Sequence, residues 1–207
     1  MATGGGPMSR PGLRLEALVL AAGAGARFGG GKLTAPWRGR ALIEAALAAA
    51  FASPSRSVIL VTGSDEAVAR VANDFAQAHG AAGRLVLVHA ADHAEGMAAS
   101  LRAGLAALPA DTDAAFLFLG DMPRIPLETP PRLAAALTNK VLAAAPTYEG
   151  ARGHPVLFRR NLFAALAGLS GDQGGRRILD GLGARLALVA DEDPGVLFDV
   201  DLPQDLD

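Results

Sequence analysis

The chain has 207 residues, 19 of them basic and 21 acidic, which gives a formal net charge of −2 at pH 7. This length suits one α/β domain with a sizeable core. The nearly neutral charge gives no electrostatic footprint for nucleic acid. There is no cysteine, which excludes disulfides and thiolate sites, and no stretch approaches the roughly 18 uncharged apolar residues of a membrane span. We expect a cytoplasmic protein that binds small ligands and neither nucleic acid nor a membrane.

The N-terminal residues differ in composition from the rest of the chain. Residues 1–13 are rich in glycine and proline, which is typical of a disordered tail, and we expect residues 14–207 to form a single domain. Arg10 and Arg14 precede a short apolar run and so imitate a secretory signal. Because Glu16 interrupts that approach, we interpret the run as part of the domain.

The segment from Leu18 to Lys32 is the most informative stretch of the chain. It opens with three apolar residues, Leu18 to Leu20, without polar alternation, as in a strand buried on both faces. Arg27 and Lys32 add positive charge after it. Glycine can take a positive φ and turn backbone N–H groups towards an anion, and the glycines here are Gly23, Gly25, Gly29, Gly30 and Gly31. The segment predicts a strand that leads into a phosphate-binding loop.

Two well-known glycine motifs do not fit this segment. A P-loop requires Gly-x4-Gly-Lys-Ser/Thr, but Ala26 stands at the first glycine and Leu33 replaces the hydroxyl residue. The dinucleotide fingerprint Gly-x-Gly-x-x-Gly has Phe28 at its third glycine, and that side chain is too bulky for close contact between helix and strand. A flexible loop between a strand and a helix is the remaining alternative to a phosphate site.

A third motif does fit. The pattern Leu-Ala-Ala-Gly-x-x-x-Arg-x-Gly-x-x-Lys is formed by Leu20, Ala21, Ala22, Gly23, Arg27, Gly29 and Lys32. With this motif the chain resembles the nucleotidyltransferases, most closely the MobA-like branch that attaches a nucleotide to the molybdenum cofactor. The resemblance implies that Arg27 and Lys32 act in catalysis at the phosphates of a nucleotide. It implies nucleotide binding by these two residues and by Leu20, Ala21, Ala22, Gly23 and Gly25.

The rest of the sequence alternates between predicted strands and helices. Further buried strands are predicted at residues 58–61, 85–88, 114–119 and 141–145. Helices are predicted up to about Phe51, from Asp65 to His79 after a Thr62-Gly63-Ser64 cap, and from Thr129 to Asn139. Such alternation indicates a doubly wound, mostly parallel sheet whose ligands bind beyond the strand C-termini. The family resemblance implies the same three-layer α/β/α, Rossmann-like nucleotidyltransferase fold.

Two ring-bearing features have alternative interpretations. His89 and His93 are four residues apart, which on a helix would place two imidazoles on one face for a metal. They fall at a predicted strand end and its loop, with no other histidine nearby, so we do not expect zinc. Trp37 could stack on a base, but we expect it to pack under the glycine loop.

The segment from Gly96 to Gly104 resembles the family's Gly-x-x-x-Ser-Leu-x-x-Gly, in which a helix start and its serine face the nucleotide. Gly96 and Ser100 are therefore candidates for nucleotide binding, since a helix N-terminus offers free N–H groups. Ordinary helix initiation is the alternative. Family members often carry Asn about five residues before that glycine, where this chain has Ala90 and Ala91, so base recognition by Asn is not carried over.

Carboxylates at two places suggest a metal site. Asp121 directly follows a predicted buried strand and precedes Pro123, which fixes the turn; in the resembling family this aspartate binds magnesium. Residues 198–205 are close to the family's Asp-Ile-Asp-Thr-Pro-Glu-Asp. The resemblance implies that Asp121 and Asp201 hold Mg²⁺, a choice of metal that fits all-oxygen ligands. Asp199 is the alternative second ligand, on the same side of a predicted strand.

Basic residues in the second half suggest an acceptor site. Arg152 and His154 belong to a segment that matches the family's Gly-x-Pro-x-x-Phe, typically near the acceptor pocket. His154 either contacts a phosphate or satisfies a loop carbonyl. Arg176 and Arg177 follow glycines in a segment that resembles the family's Gly-Asp-x-Gly-Ala-Arg turn, which could receive a phosphorylated acceptor. A charged helix start is the alternative.

The resemblance implies a reaction of CTP with a phosphorylated molybdopterin-type acceptor, giving the cytidylyl dinucleotide form and pyrophosphate. Cytidylyltransferases of this branch have Leu-Ala-Ala-Gly where guanylyltransferases usually have Leu-Ala-Gly-Gly, and this chain has Ala22 at the discriminating position. A molybdoenzyme that receives the product is the implied protein partner. The same chemistry on a sugar or polyol phosphate, and a nucleotide-binding regulator without catalysis, are the alternatives.

Overall fold

The structure is a computed structural model that describes residues 12–23, 25, 28–171 and 175–206. Arg27 lies outside the described residues, as does the predicted tail apart from Gly12 and Leu13. The strands are β1 (Leu15–Ala21), β2 (Pro36–Trp37), β3 (Arg40–Ala41), β4 (Val58–Thr62), β5 (Leu85–His89), β6 (Ala114–Leu119), β7 (Ala143–Tyr148), β8 (Ala151–Arg152), β9 (Val156–Arg159) and β10 (Leu186–Ala190). The α-helices are α1 (Leu42–Ala52), α2 (Glu66–Ala78), α3 (Met97–Ala106), α4 (Thr129–Ala136), α5 (Phe163–Ala167) and α6 (Arg176–Asp180). None of these described helices is long and apolar enough to cross a membrane.

The main sheet has the strand order β10-β7-β9-β6-β1-β4-β5, with β8 paired to β7. Strand β1 lies at its centre and is parallel to both β4 and β6. The chain first builds outward from β1 to β4 and β5, and then returns to the other side of β1 with β6. Such a reversal opens a crevice beyond the strand C-termini, where doubly wound sheets bind ligands. The predicted fold class, a mostly parallel sheet between helical layers, is confirmed.

The side chains of β1 show why its apolar run is uninterrupted. Ala17 and Val19 pack into a core cluster on one face of the sheet, with α1, α2 and α4. Leu18 and Leu20 pack into a second cluster on the opposite face, with α3 and α5. Each of these residues is at most 8% exposed. Since both faces of β1 are covered by helices, these four central positions are all apolar and show no polar alternation.

Two predicted helix boundaries are corrected by side-chain hydrogen bonds. The N-cap of α2 is Asp65, whose side chain accepts from the backbone N–H of Ala67 at 2.9 Å, and not the Thr62-Gly63-Ser64 segment. Helix α4 ends at Ala136 instead of continuing to Asn139. The guanidinium of Arg159 donates to the carbonyls just beyond that end, and this turns the chain towards β7.

The strands after α4 differ most from the prediction. Strand β7 begins two residues later than predicted, and β9 inserts between β6 and β7, antiparallel to both. A tight hairpin joins β7 to β8 through Glu149 and Gly150, whose φ angles are 47° and 82°. Two consecutive positive φ values are typical of hairpin turns that match strand twist. Strand β8 of the hairpin carries the predicted acceptor residue Arg152, and His154 lies in the short connection from β8 to β9.

A buried carboxylate closes the N-terminal edge of the sheet. Glu16 of β1 is 1% exposed and accepts hydrogen bonds from the Arg56 guanidinium at 2.7 Å, the Ser57 backbone N–H at 2.8 Å and the Ser57 hydroxyl at 2.6 Å. Arg56 also donates to both oxygens of Asp111. Glu16 therefore links β1 to the residues just before β4 at the N-terminal end of the strands, opposite the crevice at their C-terminal ends.

We predict that Glu16→Ala lowers the free energy of unfolding by about 2 to 3 kcal/mol, because it leaves the Ser57 N–H and hydroxyl without their charged acceptor. Urea denaturation measures the change. Glu192→Ala, at an exposed glutamate, is the control and should shift stability by less than about 0.5 kcal/mol. Equal midpoints for the two variants would contradict the structural role of Glu16.

Candidate active site

A cleft of about 290 Å³ lies at the C-terminal ends of β1 and β6. It collects every described residue that the sequence analysis assigned to the nucleotide, and Asp121 with them: Leu20, Ala21, Ala22, Gly23, Gly25, Lys32, Gly96 and Ser100. Its wall also contains residues that the sequence analysis did not assign to it: Leu33, His93, Met97 and Leu119. We call this space the nucleotide cleft. A second space of about 290 Å³ adjoins it on the far side of the glycine loop, beside the start of α2.

The glycine loop has the predicted positive φ angles but uses several N–H groups internally. Gly25 and Gly29 have φ angles of 59° and 92°, which L side chains rarely adopt. The N–H groups of Phe28, Gly29 and Gly30 all donate to the carbonyl of Gly25, at 2.9, 3.1 and 3.3 Å. These three groups hold the loop in shape. In this conformation they are not available to an anion, which differs from the expectation for the loop.

The start of α3 is likewise partly engaged. Gly96 has a φ of 106° and precedes the helix, and the N–H of Ala98 donates to the carbonyl of Gly171 at 3.0 Å. Ser100, one turn into the helix, is 5% exposed and lines the nucleotide cleft. The helix start therefore lines the cleft, while its first turn is hydrogen-bonded to the loop that leads to α6.

His93 is a cleft residue that the sequence analysis considered only as a zinc ligand. A Cβ on Gly63 would lie 3.1 Å from His93 Cγ and 2.6 Å from the carbonyl oxygen of Ala22. Glycine at position 63 therefore lets the backbone after β4 approach the Ala22 carbonyl, with the imidazole of His93 packed against it. The rings of His89 and His93 are 6.2 Å apart. Among the described residues, no group of three or more His, Asp or Glu side chains is arranged to hold a metal.

An ion pair joins three distant segments at the floor of the cleft. The Lys32 ammonium donates to Asp121 Oδ2 at 2.6 Å and to the carbonyl oxygen of Val200 at 2.8 Å. The backbone N–H of Val200 donates back to the carbonyl of Asp121 at 3.0 Å. The side chains of Lys32 and Asp121 are only 13% and 25% exposed. The C-terminal segment is thereby fastened beside Asp121.

Asp199 and Asp201, the two candidates for a second metal ligand beside Asp121, lie on that segment. The prediction that they project from one side of a strand is wrong. Residues 198–201 form no strand, so strand periodicity does not set the side chains of Asp199 and Asp201. The pKa of Asp199 is raised, first by desolvation and then by the negative charges of Asp121 and Asp201. Asp199 is therefore within electrostatic range of Asp121. The backbone N–H of Asp201 donates to the carboxylate of Asp205 at 2.9 Å.

A larger pocket of about 570 Å³ adjoins the nucleotide cleft and shares Met97 and Leu119 with it. We call it the acceptor pocket. Three of the four predicted acceptor residues line it: Arg152, His154 and Arg176. Arg177 is not among its lining residues. Its apolar walls come mainly from β6, β9 and α6: Leu117, Val156, Phe158 and Leu179.

The charged residues of the acceptor pocket are unequally engaged. Arg152 makes a salt bridge to Asp180 at the end of α6. Arg176, at the start of the same helix, is exposed. His154 approaches the carbonyl of Leu117 through Nδ1 at 3.4 Å, which favours the carbonyl over the phosphate alternative. Burial lowers the pKa of its imidazole, against the opposing charge of Asp121.

Comparison with known proteins identifies the family. The family model described as the MobA-like NTP transferase domain matches residues 17–188. The protein is a MobA-like NTP transferase. It therefore belongs to a family of nucleotidyltransferases.

Several relatives of this MobA-like NTP transferase are known. The molybdenum cofactor cytidylyltransferase of Escherichia coli is 28% identical over 145 residues, which are 69% of each chain. The purine catabolism protein PucB of Bacillus subtilis is 29% identical over 93% of this chain and 94% of its own length. The crystal structure of Rv0371c from Mycobacterium tuberculosis is 28% identical, covers 94% of this chain and 96% of its own, and has a TM-score of 0.74. A manganese complex of Rv0371c, 25% identical and covering 87% of this chain and 89% of its own, has a TM-score of 0.69.

The oxygen atoms around Lys32 suit a divalent cation in this transferase. The ammonium of Lys32 stands where a carboxylate oxygen of Asp121 and the carbonyl oxygen of Val200 converge, and Asp199 adds a nearby negative charge. Oxygen donors of this kind are the ligands of Mg²⁺ and Mn²⁺. Since few protein carboxylates converge, phosphate oxygens would complete the coordination, as is common for Mg²⁺ bound with nucleotides.

Lys32 and a divalent cation would compete for Asp121. We predict that Lys32→Met binds Mn²⁺ roughly tenfold more tightly than the unaltered protein when nucleotide is absent, because a contacting positive charge is removed. Electron paramagnetic resonance of free Mn²⁺ measures the affinity. Lys140→Met, at an exposed lysine, should leave it unchanged. Equal Mn²⁺ affinities for the Lys32 and Lys140 variants would show that the metal does not bind at Asp121.

Proposed function

We propose that this transferase moves the CMP group of CTP to the terminal phosphate of the molybdenum cofactor and releases pyrophosphate. One observation carries the proposal: the nucleotide cleft and the acceptor pocket meet at Met97 and Leu119, at the strand end that presents Asp121. A nucleotide in one space and a phosphorylated acceptor in the other would bring their phosphates together near that carboxylate. The 28% identity to a molybdenum cofactor cytidylyltransferase supports the choice of substrates.

The choice of CTP rests on the end of β1. Ala22 is 6% exposed and lies in the wall of the nucleotide cleft, so its methyl group narrows the space beside the loop. The Leu-Ala-Ala-Gly motif that contains it resembles that of cytidylyltransferases. A pyrimidine requires less room there than a purine.

The choice of a molybdopterin-type acceptor rests on the walls of the acceptor pocket. The apolar side chains Leu117, Phe158 and Leu179 suit a planar ring system better than a sugar or polyol, whose hydroxyl groups would find no hydrogen-bond partners on those walls. Arg152 and Arg176 supply positive charge for a phosphate. Because Arg152 already pairs with Asp180, a bound phosphate would share or replace that carboxylate.

The proposed reaction is an in-line displacement at phosphorus. An oxygen of the acceptor's terminal phosphate attacks the α-phosphorus of CTP, a new P–O bond forms, and the bond to the β-phosphate oxygen breaks to release pyrophosphate. A phosphate monoester with a second pKa near 6 is largely dianionic at pH 7, so no protein base is required. The protein contributes position and electrostatics.

Specific residues would supply those contributions. Lys32 would leave Asp121 for the β- and γ-phosphates and neutralise the departing pyrophosphate, with Arg27 in the same role. Asp121, together with Asp199 or Asp201, would hold Mg²⁺. The bound Mg²⁺ would neutralise the α-phosphate and orient it for attack. Gly96 and Ser100 would position the nucleotide from α3.

Pyrophosphate release tests the proposal directly. It should be measured with CTP, GTP and ATP, each with and without the molybdenum cofactor, and with a polyol phosphate as a second acceptor. Release that requires both CTP and the molybdenum cofactor supports the proposal. Release with the polyol phosphate alone would assign another acceptor to the same chemistry.

We predict that kcat/KM for CTP exceeds that for GTP by at least about tenfold, the size expected for one methyl group in a tight pocket. Ala22→Gly, which restores the guanylyltransferase pattern, should reduce this ratio. Steady-state rates of pyrophosphate release provide both values. Comparable values for CTP and GTP in the unaltered protein would refute the nucleotide assignment.

We predict that Asp121→Asn lowers kcat by about 10² to 10³, because an amide is a poor ligand for Mg²⁺ and the charge that organises the α-phosphate is lost. Turnover is measured in saturating magnesium beside urea denaturation of the same protein. Asp111→Asn, at the opposite edge of the sheet, is the control and should turn over normally. A destabilised Asp121 variant with full turnover would make Asp121 a structural residue.

A further inference from the structure

The ring of His154 is held at a fixed place in the acceptor pocket. Its backbone N–H donates to the carbonyl of Val196 at 2.8 Å. A Cβ on the preceding residue, Gly153, would lie 2.2 Å from that same carbonyl oxygen, so only glycine allows this approach. The imidazole lines the pocket beside Leu117 and Phe158. These two approaches to the Val196 carbonyl fix the backbone of Gly153 and His154, and so the point from which the ring enters the pocket.

The surroundings of the ring determine which nitrogen carries the proton. Nδ1 is 3.4 Å from the carbonyl oxygen of Leu117, which is long for a hydrogen bond. A carbonyl oxygen can only accept, so a bare Nδ1 would set two lone pairs against each other, whereas a protonated Nδ1 is attracted. Burial also favours the neutral ring and lowers the imidazole pKa. A neutral imidazole with its proton on Nδ1 has an unprotonated Nε2.

That second nitrogen is available to a ligand. Within residues 12–23, 25, 28–171 and 175–206, Nε2 of His154 has no hydrogen-bond partner, since the ring's only hydrogen bond there joins Nδ1 to the Leu117 carbonyl. A lone pair cannot bind the oxygens of a phosphate dianion, which are also acceptors. The phosphate of an acceptor must therefore bind elsewhere, and the two arginines that line the pocket suit it.

We propose that Nε2 of His154 accepts a hydrogen bond from an N–H group of the acceptor, which makes His154 a specificity-determining residue of the acceptor pocket. The apolar walls formed by Leu117, Val156 and Phe158 favour a planar ring, so the ligand class is a phosphorylated nitrogen heterocycle that carries ring or exocyclic N–H groups. This inference rests on the proposed function for the use of the pocket by an acceptor. Which of the two ring nitrogens carries the proton does not depend on that function.

The tautomer can be measured without substrate. The chain has four histidines, so ¹⁵N-histidine labelling, with His154→Asn to assign the signal that disappears, isolates this ring by NMR. We expect a protonated Nδ1 and an unprotonated Nε2 at pH 7, and a shift of the Nε2 resonance when a phosphorylated pterin is added. An imidazolium, or a proton on Nε2, would overturn the inference whatever reaction the protein catalyses.

Two substitutions separate the two ring nitrogens. The amide N–H of His154→Asn can replace Nδ1 and keep the bond to Leu117, but it removes the acceptor at Nε2. The amide of His154→Gln reaches the Nε2 position and restores an acceptor. We expect His154→Asn to weaken binding of the phosphorylated pterin, followed by its fluorescence, about three- to tenfold. His154→Gln should bind nearly as the unaltered protein does, and KM for CTP should stay constant in both.

The outcomes distinguish this inference from the proposed function. Equal pterin affinity in His154→Asn and the unaltered protein, or equal loss in both variants, would overturn the role of Nε2. Absence of turnover of the molybdenum cofactor by the unaltered protein would instead overturn the proposed function. If another phosphorylated heterocycle is turned over in its place, the KM values of the two variants for that heterocycle test the role of His154. A higher KM for His154→Asn than for His154→Gln supports the role, and equal KM values overturn it.

Discussion

The contact between Lys32, Asp121 and Val200 is the constraint on which the site depends. Lys32 follows the glycine loop after β1, Asp121 follows β6, and Val200 belongs to the C-terminal segment. The first two meet because β1 and β6 are adjacent and parallel, so their C-terminal ends share one edge of the sheet. Because this ion pair is partly buried, little water surrounds it, and the attraction between its two charges is stronger than it would be at the surface. The ion pair holds two acidic segments together beside the cleft, with an oxygen atom of Asp121 and one of Val200 both within hydrogen-bond distance of the Lys32 ammonium.

The strand order explains why one edge of the sheet can serve two ligands. The reversal between β4 on one side of β1 and β6 on the other opens the nucleotide cleft, as in other doubly wound sheets. On the far side of β6, antiparallel β9 and the hairpin from β7 to β8 build the acceptor pocket. Two spaces that share Met97 and Leu119 are therefore set side by side by the sheet itself. A transferase that joins two substrates requires this adjacency.

The acceptor pocket contains two kinds of polar group, the positively charged arginines and the histidine. Arg152 and Arg176 provide positive charge, while burial lowers the pKa of the His154 imidazole, whose Nδ1 lies 3.4 Å from the Leu117 carbonyl oxygen. A phosphate and a heterocycle differ in hydrogen-bond polarity, since one accepts and the other can donate. A pocket with two arginines and an unprotonated imidazole nitrogen can therefore bind the phosphate of such an acceptor at the arginines and its ring at the imidazole.

The sequence by itself determined the central strand, the glycine loop and the position of Asp121 after a strand, because these follow from local patterns: an uninterrupted apolar run, glycines and a proline turn. It also determined the mostly parallel sheet through alternation of strands and helices. Only the tertiary structure decided that Lys32 binds Asp121 and Val200, residues 89 and 168 positions away. It likewise decided that three loop N–H groups donate to the Gly25 carbonyl and that β9 runs antiparallel. It also placed Asp199 within electrostatic range of Asp121 outside any strand and His154 against the Leu117 carbonyl. Hydrogen bonds between distant segments depend on how the sheet brings those segments together. Periodicity reflects only neighbouring residues along the chain, so it does not predict which distant atoms meet.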